Sequence, residues 1–210
     1  MSNSDISIIL IDYATAILAK QFHVRHGMIP PLTIQYQYIP GAKVSDYNQI
    51  PPTVRAVQIH YSDNHFLTTC QNGGTITIFD SLYNSQRPHR IHRQLSSVYA
   101  AFTETNSPHI SYIVPQSQDA TSDCGAFAIA NAYLLLSNID PQIVHVTQCL
   151  LRSHILTALN NQSFQAFPHQ VSKRQYQRQY KQPHRSIQEF STTENENCNI
   201  NRRMTRSNKA

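Results

Sequence analysis

The stretch 65-HFLTTCQNGGTITIFD-80 decides how the rest of this sequence is read. Two runs rich in β-branched and aromatic residues flank Asn72-Gly73-Gly74. Such an interruption signals a hairpin, because tight two-residue turns need backbone with positive φ. With Asn72-Gly73 as the loop, Cys70 faces Thr75 and His65 faces Asp80. Cross-strand partners hold their Cβ atoms about 4.5–5.5 Å apart, close enough for an imidazole and a carboxylate to hydrogen-bond. The same register sets Leu67, Thr69, Ile76 and Ile78 on the face that carries the pair. A one-residue slip would break it.

By itself a His–Asp pair across a hairpin reads as a structural contact. A second stretch, 118-QDATSDCGAFAIANAYLLLS-137, changes that reading. It moves from a polar loop into an apolar helix at Cys124, with Asp123 as the expected N-cap. A thiol at a helix start faces unpaired N–H groups and the positive end of the dipole, and both favour thiolate. A nucleophilic thiol also needs a base, and the base needs a carboxylate to fix its tautomer. His65 and Asp80 supply those types. Acyl transfer builds negative charge on the substrate carbonyl oxygen, and an amide side chain with the Cys124 N–H suits it. Gln118 and Gln116 compete for that role, and Gln118 has the better spacing to the cysteine. Gly125 would let an extended substrate backbone come close.

Along the rest of the chain, Ile9, Leu10, Tyr13, Ala14, Ile17 and Leu18 share one helical face, with Ser and Asp residues upstream as caps. "MIPPLT" (28–33) reads as a break, and "IQYQYI" (34–39) and "VRAVQIHY" (54–61) as strands. A helix is expected over 92–102, a strand over 109–115, and a last helix over roughly 142–160 after the Asp140-Pro141 start signal.

At 210 residues and 40% hydrophobic, the chain is long enough for one domain with a real core. No apolar run approaches the roughly 20 residues a membrane span needs, and Ile8–Ile11 lacks the basic flank of a secretory signal. Cysteines at 70, 124, 149 and 198 form no CxxC pair, which argues against a zinc site or a disulfide scaffold and for a reducing compartment, nuclear or cytoplasmic. His60 lies five residues before His65, but no third ligand stands at useful spacing, so no metal and no cofactor is expected. Residues 172–210 carry nine Lys/Arg against three Glu, a local +6, whereas residues 1–171 carry eight against nine. The basic pI of about 9.1 therefore belongs to the C-terminal stretch. Two units follow: a domain over 1–168, and a Gln/Arg-rich tail over 169–210 that is expected to be disordered. The tail reads as a solvated segment or as a weak polyanion or nucleic-acid contact.

Taken in order, His65, Asp80, Gln118 and Cys124 stand within "VQIHYSDNHF", "ITIFDSLYN" and "PQSQDATSDCGAFAIANAY". These segments resemble the ubiquitin-like protein (SUMO-type) protease family, papain-like cysteine peptidases, and look closest to its diverged copies associated with mobile elements. Weaker similarity runs through "ATAILAKQF" and "LLRSHILTALNN", so the resemblance covers about residues 6–168. It implies an α+β papain-like fold, with a central mixed β-sheet flanked by helices. It further implies His65 as base, Asp80 as its orienter, Gln118 in the oxyanion hole and Cys124 as nucleophile. The family usually has Trp after the histidine, roofing a channel for the substrate's Gly-Gly tail; Phe66 stands there instead. The expected activity is hydrolysis of a peptide or isopeptide bond of a ubiquitin-like protein or a peptide substrate. The alternative is a catalytically degenerate protein-binding domain of the same fold. A nucleic-acid accessory acting through its tail is a weaker third.

Overall fold

The computed structural model describes residues 6–36, 48–82, 87–103, 107–119 and 121–171. Two turns with left-handed backbone organise its sheet. Asp63 (φ 52°) and Asn64 (φ 57°) fold β1 (Ala56–Ser62) onto β2 (His65–Asn72), and Gly73 (φ 56°) and Gly74 (φ 80°) fold β2 onto β3 (Thr75–Phe79). The second loop is therefore Gly73-Gly74, not Asn72-Gly73: Asn72 pairs with Thr75, and Cys70 faces Thr77. Two glycines enter positive φ without a Cβ penalty, so they take the turn and leave Asn72 in the ladder. This moves each partner along by two residues, and because side chains alternate with period two, every one keeps its face. His65 and Asp80 thus stay on the Leu67 and Ile78 face, diagonal to each other rather than opposite.

β4 (His109–Ile113) runs parallel to β3 and completes a mixed four-stranded sheet of order β1-β2-β3-β4. Helices cover both faces, as expected for the α+β class. Val57, Ile59, Phe66, Cys70 and Phe79 pack against α1 (Ile8–Gln21), α4 (Cys124–Leu136) and α5 (Gln148–Asn161). On the opposite face Ala56, Leu67, Ile76, Ile78 and Ile110 pack against Ile34 of α2 (Pro31–Tyr36) and Ile91, Leu95 and Val98 of α3 (Arg87–Val98). No described helix is long and apolar enough to cross a membrane.

Four elements differ from expectation. On α1 the buried positions are Ile11, Ala14, Thr15, Ile17 and Leu18, while Ile9, Leu10 and Tyr13 face solvent; Ser7 is its cap. The expected strand at 34–39 begins as helix. Pro31 suits a first helical turn, and the Asp12 carboxylate accepts from Leu32 N at 3.1 Å; residues 37–39 lie outside the described residues. α3 begins five residues before the expected 92. Asp140 caps only a short 3-10 turn, followed by β5 (Val144–Val146), so α5 starts at Gln148. β5 pairs with β6 (His169–Val171), so strand pairing extends into residues placed with the tail by sequence. The tail from 172 onward lies outside the described residues.

Candidate active site

His65 is the first residue of β2, held directly after the Asp63-Asn64 turn, and Asp80 follows the last residue of β3. Antiparallel pairing brings that beginning and that end together. His65 Nε2 lies 2.6 Å from Asp80 Oδ1. A carboxylate only accepts, so Nε2 carries the proton. Asp80 Oδ1 also accepts from Leu82 N at 2.8 Å, and Oδ2 accepts from the Tyr112 hydroxyl. α4 runs along β2, with Thr68 Oγ1 donating to the Ala128 carbonyl at 2.8 Å. Its first residue, Cys124, thereby lies beside the same imidazole, near enough for the thiol to favour the protonated ring. With Nε2 taken by Asp80, Nδ1 is the nitrogen left for sulfur.

Burial pushes the His65 pKa down, but the hydrogen bonds and charges of Asp80 and Cys124 outweigh it, and the net shift is upward. An imidazole that readily takes a proton beside a thiol is the condition for a thiolate–imidazolium pair. Cys70 differs: burial pushes its thiol up, and Arg55 only partly offsets that. Cys149 is exposed, on α5.

Gln118 lies in the loop between β4 and α4, its backbone N bonded to the Ser81 carbonyl at 2.9 Å and its Oε1 2.7 Å from Ser81 Oγ. Gln116 points elsewhere. Its amide accepts from Val146 N at 2.9 Å and donates to Val146 O at 3.0 Å, pinning the loop to β5. Asp123 is the N-cap residue of α4 but makes no side-chain cap. Its carboxylate turns to α5, accepting from Arg152 Nε and Gln148 Nε2, each at 2.8 Å. An Arg and a Gln together outbid the N–H groups it was expected to cap, and Arg152 also holds the Ser122 carbonyl at 2.7 Å.

Phe66 and Gly125, expected to touch substrate, are both buried, like His65 and Cys124. Phe66 is 5% exposed and packs against Tyr61 in a tilted pair, ring centroids 4.6 Å apart. A Cβ on Gly125 would stand 2.9 Å from Ile11 Cδ1 and 3.4 Å from Phe66 Cδ2, so the missing side chain makes room for α1. His60 is wholly buried between Gln94 and Thr69, and no group of metal-ligating side chains occurs among the described residues. Sequence reasoning missed Tyr112 and Ser81, whose partners lie 32 and 37 residues away. Ser81 sat inside a quoted segment, but only the register shows where a hydroxyl points.

No family model matches the sequence, and no curated protein matches it as a relative. Among solved structures, the chain is similar to the SUMO protease Ulp1 with its catalytic cysteine oxidised to a sulfinic acid (TM-score 0.57, 12% identity, 75% of this chain and 78% of that one). It is similar again to the C-terminal Ulp1 protease domain in complex with Smt3, the yeast ortholog of SUMO (TM-score 0.55, 12% identity, 76% and 78%). A mixed four-stranded sheet flanked by helices is consistent with that likeness: this chain has the α+β, papain-like fold of the Ulp1-type SUMO proteases.

Proposed function

We propose that the chain is a cysteine peptidase or isopeptidase acting on a ubiquitin-like protein or a related peptide. The observation that carries this reading is one imidazole, His65, hydrogen-bonded to the Asp80 carboxylate and set beside the Cys124 thiol at the start of α4. In the reaction His65 takes the thiol proton and the sulfur attacks the scissile carbonyl carbon. Gln118 Nε2 and the Cys124 N–H hold the oxyanion, a donor pair in which each member is worth about 3–4 kcal/mol of transition-state stabilisation. Collapse expels the amine, which takes its proton from His65, and leaves a thioester on Cys124. Water then gives a proton to His65 and its oxygen to the acyl carbon, releasing the acid and restoring the thiol. That one similar structure holds Smt3 supports a ubiquitin-like partner.

The test is a ubiquitin-like tail bearing a C-terminal vinyl sulfone. The expected result is a covalent adduct at Cys124, lost in Cys124→Ala and strongly slowed in His65→Ala. No adduct, together with iodoacetamide labelling of Cys124 no faster than that of Cys149, would overturn the reading and favour the binding domain. A degenerate domain draws some support from the thiol itself: Cys124 is 4% exposed.

A further inference from the structure

We infer that Ser81 is a positioning residue for the oxyanion donor, so that Asp80 and Ser81 orient the two halves of the site from adjacent positions. The inference rests on the peptidase reading and deepens it. Asp80 reaches His65, while Ser81, next along the chain, reaches Gln118 twice: its carbonyl accepts from Gln118 N at 2.9 Å, and its hydroxyl lies 2.7 Å from Gln118 Oε1. Both side chains are buried, Ser81 at 2% and Gln118 at 7% exposure.

An amide has one end that accepts and one that donates, and an oxyanion tolerates only the donor. Rotating the Gln118 amide by half a turn would present its carbonyl oxygen to the developing negative charge. With the Ser81 O–H donating to Oε1, the NH2 group is held on the opposite side of the amide. The backbone bond fixes where the side chain starts, and the hydroxyl fixes how it ends. Neither contact touches the thiol or the imidazole, so the effect is confined to steps that make an oxyanion.

The experiment compares wild type, Ser81→Ala, Gln118→Ala and the double variant on a ubiquitin-like protein carrying a C-terminal aminomethylcoumarin amide, and on iodoacetamide. Alkylation by iodoacetamide forms no oxyanion and reads the thiolate alone. Ser81→Ala is expected to lower kcat about 10- to 100-fold, up to the loss caused by removing one oxyanion donor, with KM and the iodoacetamide rate unchanged. In the Gln118→Ala background the same substitution is expected to cost nothing more, because the group it orients is gone. Additive kcat losses in the double variant would overturn the inference, as would a loss of iodoacetamide reactivity equal to the loss of kcat. Ser81→Thr keeps the hydroxyl, and its failure to retain more kcat than Ser81→Ala, with the thermal midpoint unchanged, would overturn it too. A wild-type chain with neither turnover nor fast alkylation sinks the peptidase reading instead, and this one with it.

Discussion

Acidification is expected to destabilise this domain through His60, a residue outside the chemistry. Its ring is sealed between the sheet and α3: Nδ1 lies 3.3 Å from Gln94 Oε1, and Nε2 lies 2.9 Å from Thr69 Oγ1, itself 2.6 Å from the Tyr99 hydroxyl. An amide carbonyl only accepts, so Nδ1 donates and Nε2 is left to accept from Thr69. A second proton would place a full positive charge in that wholly buried site, where its partners Gln94 and Thr69 are neutral. Burial accordingly lowers the His60 pKa from 6.5 to about 4, with the Gln94 bond opposing it. Between those values the unfolded chain binds a proton that the folded chain refuses, so stability falls as pH falls. At about 1.4 kcal/mol per unit, the window removes about 3 kcal/mol, a large part of a typical domain's total. Urea unfolding of wild type and His60→Gln from pH 7.5 to 4 measures it. The variant should be the less stable at pH 7.5, because it loses packing, yet lose about 3 kcal/mol less on acidification. Parallel curves would refute the reasoning. His65 works in the opposite sense: its raised pKa gives stability that is complete below about 6.5 and fades as pH rises through the folded value.

Tyr112→Phe removes a donor from Asp80, which should cost about 1 kcal/mol in thermal unfolding. It should also strengthen the carboxylate's hold on the His65 proton, moving the alkaline limb of kcat/KM to higher pH; an unshifted limb would leave Tyr112 with a packing role only. Gly125→Ala should destabilise by about 1–2 kcal/mol through overpacking, and Ile11→Val, which deletes the Cδ1 in the way, should recover part of that in a denaturant titration. Equal stability of the single and double variants would show that the 2.9 Å approach is relieved at no cost. Deleting 172–210 should leave Cys124 labelling and the melting temperature unchanged while removing salt-sensitive binding to heparin, since nine of the 17 Lys/Arg lie there. A lower melting temperature would place the tail's contacts in the core.

What could be read in the sequence was local. The Asn72-Gly73-Gly74 segment announced a hairpin, and alternation announced the faces. The turn itself was a contest between two neighbouring dipeptides with the same φ requirement, and the energetics of a second glycine decided it. His65 and Asp80 survived that error because the displacement was even. β5 and β6 escaped notice for another reason: three-residue strands carry almost no periodicity, and their partners lie about 25 residues apart along the chain. Asp123 looked like a cap because a cap is judged from neighbours in sequence, whereas Arg152 and Gln148 arrive from α5. On α1 the apolar residues outnumber the buried positions, so pattern alone could not orient it.

The four groups of the proposed chemistry sit at or beyond the ends of elements: His65 opens β2, Asp80 and Gln118 follow β3 and β4, and Cys124 opens α4. The backbone of His65 pairs with Ser62 and Cys124 takes the first helical position, so neither side chain is needed to form the element it opens. Losing the sulfur to alanine would leave a domain that melts much like an active one, whereas losing the imidazole would leave Asp80 buried without its ion-pair partner. Selection for stability and selection for turnover are separable here, and a persisting scaffold is no testimony to a working catalyst.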